Sequence, residues 1–180
     1  MNFKLIQIIL VVFAVTNIQV VSAETQNANL NANLNASVKA KVVLVDGKKF
    51  RDYELANYSR SKSLQILEKD FSRVFTKLSS KYLKDGQSIA VSVTNLDLPG
   101  DLRFSVGPNH QDIRIVKDIS PMKLIFDYKI LVNDGSVVSE GEYKIKEFLH
   151  LSLHSTRLKH RGNLAHFMPL LEKWFKSEFS

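Results

Sequence analysis

The chain has 180 residues, 44% of them apolar, with 25 basic and 18 acidic side chains for a formal charge of +7 and no cysteine. This length suits one domain rather than two. The missing cysteine excludes disulfides, thiolate metal sites, a cysteine nucleophile and the lipid-modified cysteine of a bacterial lipoprotein.

Residues 1–23 have the layout of an export signal. Lys4 supplies the positive start, residues 5–15 are apolar apart from Gln7, and Val21-Ser22-Ala23 fits the small-residue cleavage rule. Thr16, Asn17 and Gln19 interrupt the apolar run before it reaches the roughly 20 residues of a membrane span. The expected mature protein begins at Glu24, carries no transmembrane segment and resides in the periplasm or the medium. Only Lys4 leaves the charge balance with the signal. An exported basic protein meets anionic lipid, glycan or wall polymer more readily than nucleic acid, which is not expected as a partner.

Residues 24–37 contain the repeat Asn-Ala-Asn-Leu, uncharged and poor in helix formers, and read as a flexible leader. The globular domain is expected over residues 38–180. Residues 38–45 are β-branched and end at Asp46-Gly47, a first strand. Residues 50–58 carry no regular pattern. From about Ser61 to Tyr82 the apolar positions Leu64, Leu67, Phe71, Val74, Phe75, Leu78 and Tyr82 recur every three or four residues. This predicts a helix with one buried face, capped by Ser59 or Ser61 and stopped at Gly86. Lys62, Lys69, Arg73 and Lys77 fall elsewhere on its surface.

Ile89, Val91 and Val93 alternate with small polar residues as a second strand, and a 15-residue connection (97–111) leads to a short third strand at 113–116. Leu124, Phe126, Tyr128, Ile130 and Val132 alternate along a strand that reaches Asn133-Asp134-Gly135. Asp-Gly is a strong hairpin signal, and Tyr143 and Ile145 alternate with charges on the return. This hairpin is expected at the centre of the sheet, with Leu124, Phe126, Tyr128 and Ile130 facing Leu67, Phe71 and Phe75. Leu149, Leu151 and Leu153 extend the alternation, residues 156–163 form a basic loop, and 164–179 a closing helix that Pro169 either starts or kinks. The predicted fold is α+β in the order β-α-β-β-β-β-α. It is a mostly antiparallel sheet of four to six strands with the long helix and the C-terminal helix on one face.

Three runs give the pattern a wider meaning: Tyr82-Leu83-Lys84-Asp85-Gly86-Gln87, Leu96-Asp97-Leu98-Pro99-Gly100 and Asp112-Ile113-Arg114-Ile115. With Lys123, Leu124, Phe126 and Tyr128, they resemble a family of short exported Gram-negative proteins, domain of unknown function 3016. The resemblance runs from about Val42 to Phe179. It departs from the family at Asn95, where an aspartate is expected, at Pro99, where a small residue is expected, and after Lys146. It implies export and fold, and no activity or cofactor.

Two groups of residues carry candidate chemistry. His150, His154, His160 and His166, with Arg157, Lys159 and Arg161, occupy a stretch (148–171) without one acidic residue. They read as an anion-binding strip whose charge rises in acid. The metal alternative needs His150 and His154 together. On a helix they lie about 6 Å apart, but on the strand favoured by the leucine alternation they lie about 13 Å apart. The second group is the loop cluster Asp97, Asp101, Arg103, Asp112 and Arg114, where paired carboxylates would support a periplasmic hydrolase. Aspartates at turns more often bond their own backbone. No nucleotide loop, Gly-x-Ser-x-Gly elbow or His-Glu-x-x-His helix occurs. The sequence thus reads as a non-catalytic binding or accessory module of the cell envelope without a cofactor, meeting an anionic envelope component or an envelope protein. Intact-mass measurement of the exported protein is expected to start at Glu24; a membrane-bound species keeping residues 1–23 would contradict it.

Overall fold

The computed structural model describes residues 39–150 and 161–179. Strand β1 (Ala40–Leu44) is followed by a short 3-10 turn, Gly47–Lys49, and an irregular segment that buries Phe50, Tyr53 and Leu55. Helix α1 (Arg60–Tyr82) starts where expected, with the Ser59 hydroxyl accepting from the Lys62 amide at 3.3 Å. Ser63, fully buried one turn on, ties the irregular segment to the helix. Its hydroxyl accepts from the Leu55 amide at 3.0 Å and donates to the Ser59 carbonyl at 2.9 Å. The inward face carries Leu67, Phe71, Phe75 and Leu78 at the predicted spacing.

Strands β2 (Ser88–Asp97), β5 (Ile119–Leu131) and β6 (Val137–His150) join β1 in a sheet of order β1-β2-β5-β6. The β1–β2 pair is parallel, because α1 crosses between them and returns the chain to its starting end. The other two pairs are antiparallel. The hairpin turn forms as predicted, with Gly135 at φ +83° and its amide donating to the Val132 carbonyl at 2.8 Å. The Asp134 carboxylate accepts from the Ser136 amide at 2.8 Å.

Three expectations change. Among the described residues, the hairpin does not occupy the centre of the sheet: β5 is interior, but β6 is an edge strand. The short strand β4 (Ile113–Ile115) is not in that sheet. It pairs antiparallel with β3 (Asp101–Arg103), which lies inside the 15-residue connection, and the two form a small ribbon of their own. Finally, the C-terminal helix α2 spans Met168–Phe179, and the residues before it form turns rather than helix. Pro169, lacking an N–H, sits in its first turn, where no intrahelical donor is needed. Of the predicted extension of β6, Leu151 and Leu153 lie outside the described residues.

Among the described residues, both helices cover one face of the sheet. Met122, Leu124, Phe126, Tyr128 and Ile130 point into the core from β5, whereas Pro121, Asp127 and Lys129 lie exposed on the other face. Phe126 meets Phe75 of α1 edge-on at 5.3 Å and Trp174 of α2 at 5.0 Å. Tyr128, expected against α1, instead packs on Trp174 at 5.0 Å and donates to the Glu178 carboxylate at 3.0 Å. Truncating Phe126 therefore leaves a cavity bordered by three elements. Phe126→Ala is expected to lower the unfolding free energy by about 3–5 kcal/mol in urea titration; a loss under about 1 kcal/mol would put the wrong face inside.

Candidate anion-binding groove

The loop cluster resolves into a clasp. Gly100 turns the chain from β2 into β3 at φ +86°, and a Cβ there would lie 2.4 Å from the Ile115 carbonyl oxygen, so only glycine permits the approach. Arg114, on β4, spreads its two terminal nitrogens over backbone carbonyls. Nη1 donates to Gly100 at 2.7 Å and Leu98 at 3.5 Å, and Nη2 to Glu54 at 2.7 Å and Asp52 at 2.8 Å. The guanidinium thereby fastens the 52–54 segment to the β3–β4 ribbon, and its terminal N–H groups are all directed at the protein itself. Asp112 makes a second fastening. Its amide donates to the Asn57 side-chain oxygen at 3.0 Å, and its carboxylate accepts from the Ser105 amide at 3.1 Å.

Asp97 and Asp101 lie within electrostatic reach of the Arg114 guanidinium, as do Asp52 and Glu54. Asp101 pairs with Lys117 at 3.0 Å and lies 3.8 Å from Arg103; the Lys117 hydrogen bond and charge hold its pKa below the usual carboxylate value. Asp97 lies opposite Lys123 in the β2–β5 register. Burial first, and then the Asp52 charge, push its pKa up, against the opposing pull of Arg51, Lys123 and Arg114. A raised carboxylate can take up a proton, but Arg114, the cation expected to serve with it, is engaged with four carbonyls.

The basic strip is divided differently. His154, Arg157, Lys159 and His160 lie outside the described residues. His150, at the end of β6, pairs across with Ile119 on the face turned away from the two described helices. His166 lies half-buried in the turn before α2. Arg161 takes part in a groove of about 370 Å3 between α1 and the segment entering α2, a volume in the range of small-ligand sites. Val74, Leu164 and Met168 give it apolar lining; Arg73, Lys77 and Arg161 supply positive charge, and Asp70 the negative charge. Asp70 is already engaged, accepting from the Asn163 side-chain amide at 2.8 Å and from Arg73 at 3.3 Å. Gly162, at φ +104°, shapes the turn beside Arg161, where the Ala165 amide donates to the Gly162 carbonyl at 3.1 Å.

Sequence reasoning placed Arg161 in the candidate anion-binding strip but did not bring Arg73 and Lys77 beside it. Their i,i+4 spacing puts them on one side of α1, yet nothing local shows which distant segment that side meets.

This α+β fold, a four-stranded mixed sheet with both described helices on one face, accompanies a family match. Residues 38–177 match the model described as Protein of unknown function (DUF3016), and the chain belongs to that family. Among solved structures, a DUF330-family protein from Xanthomonas campestris is similar over 53% of this chain and 43% of its own, less than half its length, at 11% identity and a TM-score of 0.27. A minor lipoprotein from Acinetobacter baumannii is similar over 78% of this chain and 93% of its own, at 9% identity and a TM-score of 0.31. No curated protein matches the chain. Among the described residues, no helix is long and apolar enough to cross a membrane.

The clasp generates its own test. Arg114→Met leaves partly buried carbonyls without their charged donors, and Arg114→Lys replaces a planar fork by a point charge. Both are expected to cost about 2–4 kcal/mol in urea titration; wild-type stability of Arg114→Lys would show that the fork geometry is not needed.

Proposed function

We propose that the protein is an exported, non-catalytic binding module of the cell envelope, and that it holds an anionic group of envelope lipid or polymer in the groove at Arg73, Lys77 and Arg161. The observation that carries this reading is the charge balance of the groove. Three cations border it, and Asp70, the carboxylate among the lining residues, is held by Asn163 and Arg73. Arg73 is paired with Asp70 at 3.3 Å, so an anion entering there meets the excess charge of Lys77 and Arg161 above an apolar floor. Export, through removal of residues 1–23, would bring the domain to such anions. Arg157, Lys159, His154 and His160 would add to the positive charge of the same stretch of chain, as the lack of any acidic residue between 148 and 171 suggests.

The hydrolase alternative through Asp97 is the weaker reading, because Arg114 is committed to the clasp. The test is co-sedimentation with vesicles containing an anionic phospholipid and, separately, with isolated wall polymer, at low and high salt. Each Lys or Arg near an anionic surface contributes about 1 kcal/mol. The triple variant Arg73→Gln, Lys77→Gln, Arg161→Gln is thus expected to bind about a hundredfold more weakly to whichever anion is the ligand, with a shallower salt dependence. Equal binding by the variant would remove the groove from the function.

A further inference from the structure

The edge strand β6 presents an ordered row of charges. Glu140, Glu142, Lys144 and Lys146 share the face turned away from the two described helices, opposite Lys129, Asp127, Ile125 and Lys123 of β5. Among the described residues, nothing pairs with the outer edge of β6, the end of the sheet. Two of its cross-strand neighbours carry the wrong sign: Glu142 lies opposite Asp127, and Lys146 opposite Lys123. Like charges directly across a sheet destabilise it. Lys144 bridges to Glu142, and Glu140 to Lys129 at 3.1 Å, so the compensation for Glu142 comes from its own strand and Lys146 has none of these bridges.

We propose that β6 is a self-association edge, on which a second copy of the chain pairs antiparallel about a twofold axis through Tyr143. That axis sets each residue opposite the one equally far on the other side of Tyr143. Glu140 then meets Lys146 of the second copy, and Glu142 meets its Lys144, each in both directions. Both misplaced charges acquire an opposite partner. Beyond these pairs lie the 61% exposed Phe148 at one end and the 53% exposed Val138, where β6 bulges against β5, at the other. The register is specific. An axis through Glu142 sets that carboxylate against itself, and an axis through Lys144 does the same with two ammonium groups. A twofold perpendicular to the sheet keeps both helix-covered faces on the same side, so the two sheets continue into one. This is the self-complementary geometry that a twofold interface requires, built by strand addition at an open edge. Charges on an edge strand also serve to keep it single, but a guard needs no mirrored order of signs.

The experiment uses the intact chain, followed by sedimentation velocity at low and high salt. The wild type is expected to dimerise, more weakly at high salt. The variants Glu140→Lys/Glu142→Lys and Lys144→Glu/Lys146→Glu should each self-associate at least about tenfold more weakly. Mixed in equal amounts they present four opposite-sign pairs again and should form a one-to-one heterodimer, which also shows that both variants are folded. Because the chain has no cysteine of its own, the register is read by disulfides. Glu142→Cys and Lys144→Cys chains should cross-link when mixed, their Cα atoms about 4.5–5.5 Å apart, and Glu140→Cys with Glu142→Cys should not. A wild type that stays monomeric at its solubility limit overturns the proposal. So does a dimer indifferent to charge reversal, a mixture that fails to associate, or a cross-link in the other register.

Discussion

Phe126 is the point at which the sheet and both helices touch. Its ring meets Phe75 of α1 at 5.3 Å, Trp174 of α2 at 5.0 Å and Tyr143 of the neighbouring strand at 5.7 Å. Trp174 in turn stacks on Tyr143 and packs edge-on against Phe175 and Phe179. Without disulfides, the domain depends on this one-sided aromatic core for cohesion. The constraint reaches every other element. Both described helices are buried on the Phe126 side, and side chains such as Asp127 and Lys129 lie exposed on the opposite face.

The polar features follow from that asymmetry. Because α1 and the approach to α2 share one face, Arg73 and Lys77 on the helix come beside Arg161, and a groove opens between them. The floor of the groove is core: Leu164 and Met168 are buried, and Asp70, held by Asn163, joins the two walls. The clasp belongs to a different part of the fold. There the β3–β4 ribbon closes over the irregular segment before α1, and Arg114 supplies hydrogen bonds to carbonyls that no strand partner reaches. One arginine holds a stretch whose only described strand pairing is the single bridge from Arg51 to Asp97, which explains why candidate catalytic residues at this loop sit in a network of structural bonds.

Local chemistry made much of this legible in advance. The three-to-four spacing of Leu67, Phe71, Phe75 and Leu78, the Ser59 cap and the Asp134-Gly135 turn are short-range signals, and each appears where the residues place it. The alternation from Leu124 to Ile130 likewise identified the buried face of β5, since a period of two allows only one inward set. The family resemblance depended on the same local runs, and the family match covers them.

What the sequence could not decide was which elements become neighbours. Strand pairing is a contact between residues far apart in the chain, and the alternation that identifies a strand is the same at the edge as at the centre. Hence β6 was expected inside the sheet and lies at its margin, and β4 was expected in the main sheet and pairs with β3 instead. The groove is the same case in charged residues. Arg73 and Lys77 share a helical face and Arg161 ends a basic run, but their meeting depends on α2 docking beside α1 on the Phe126 face. Periodicity, caps and turns are thus properties of the chain itself, because their energies act over a few residues. The order of strands, the clasp and the groove belong to the tertiary structure, because burial is settled only when distant apolar faces compete for one core.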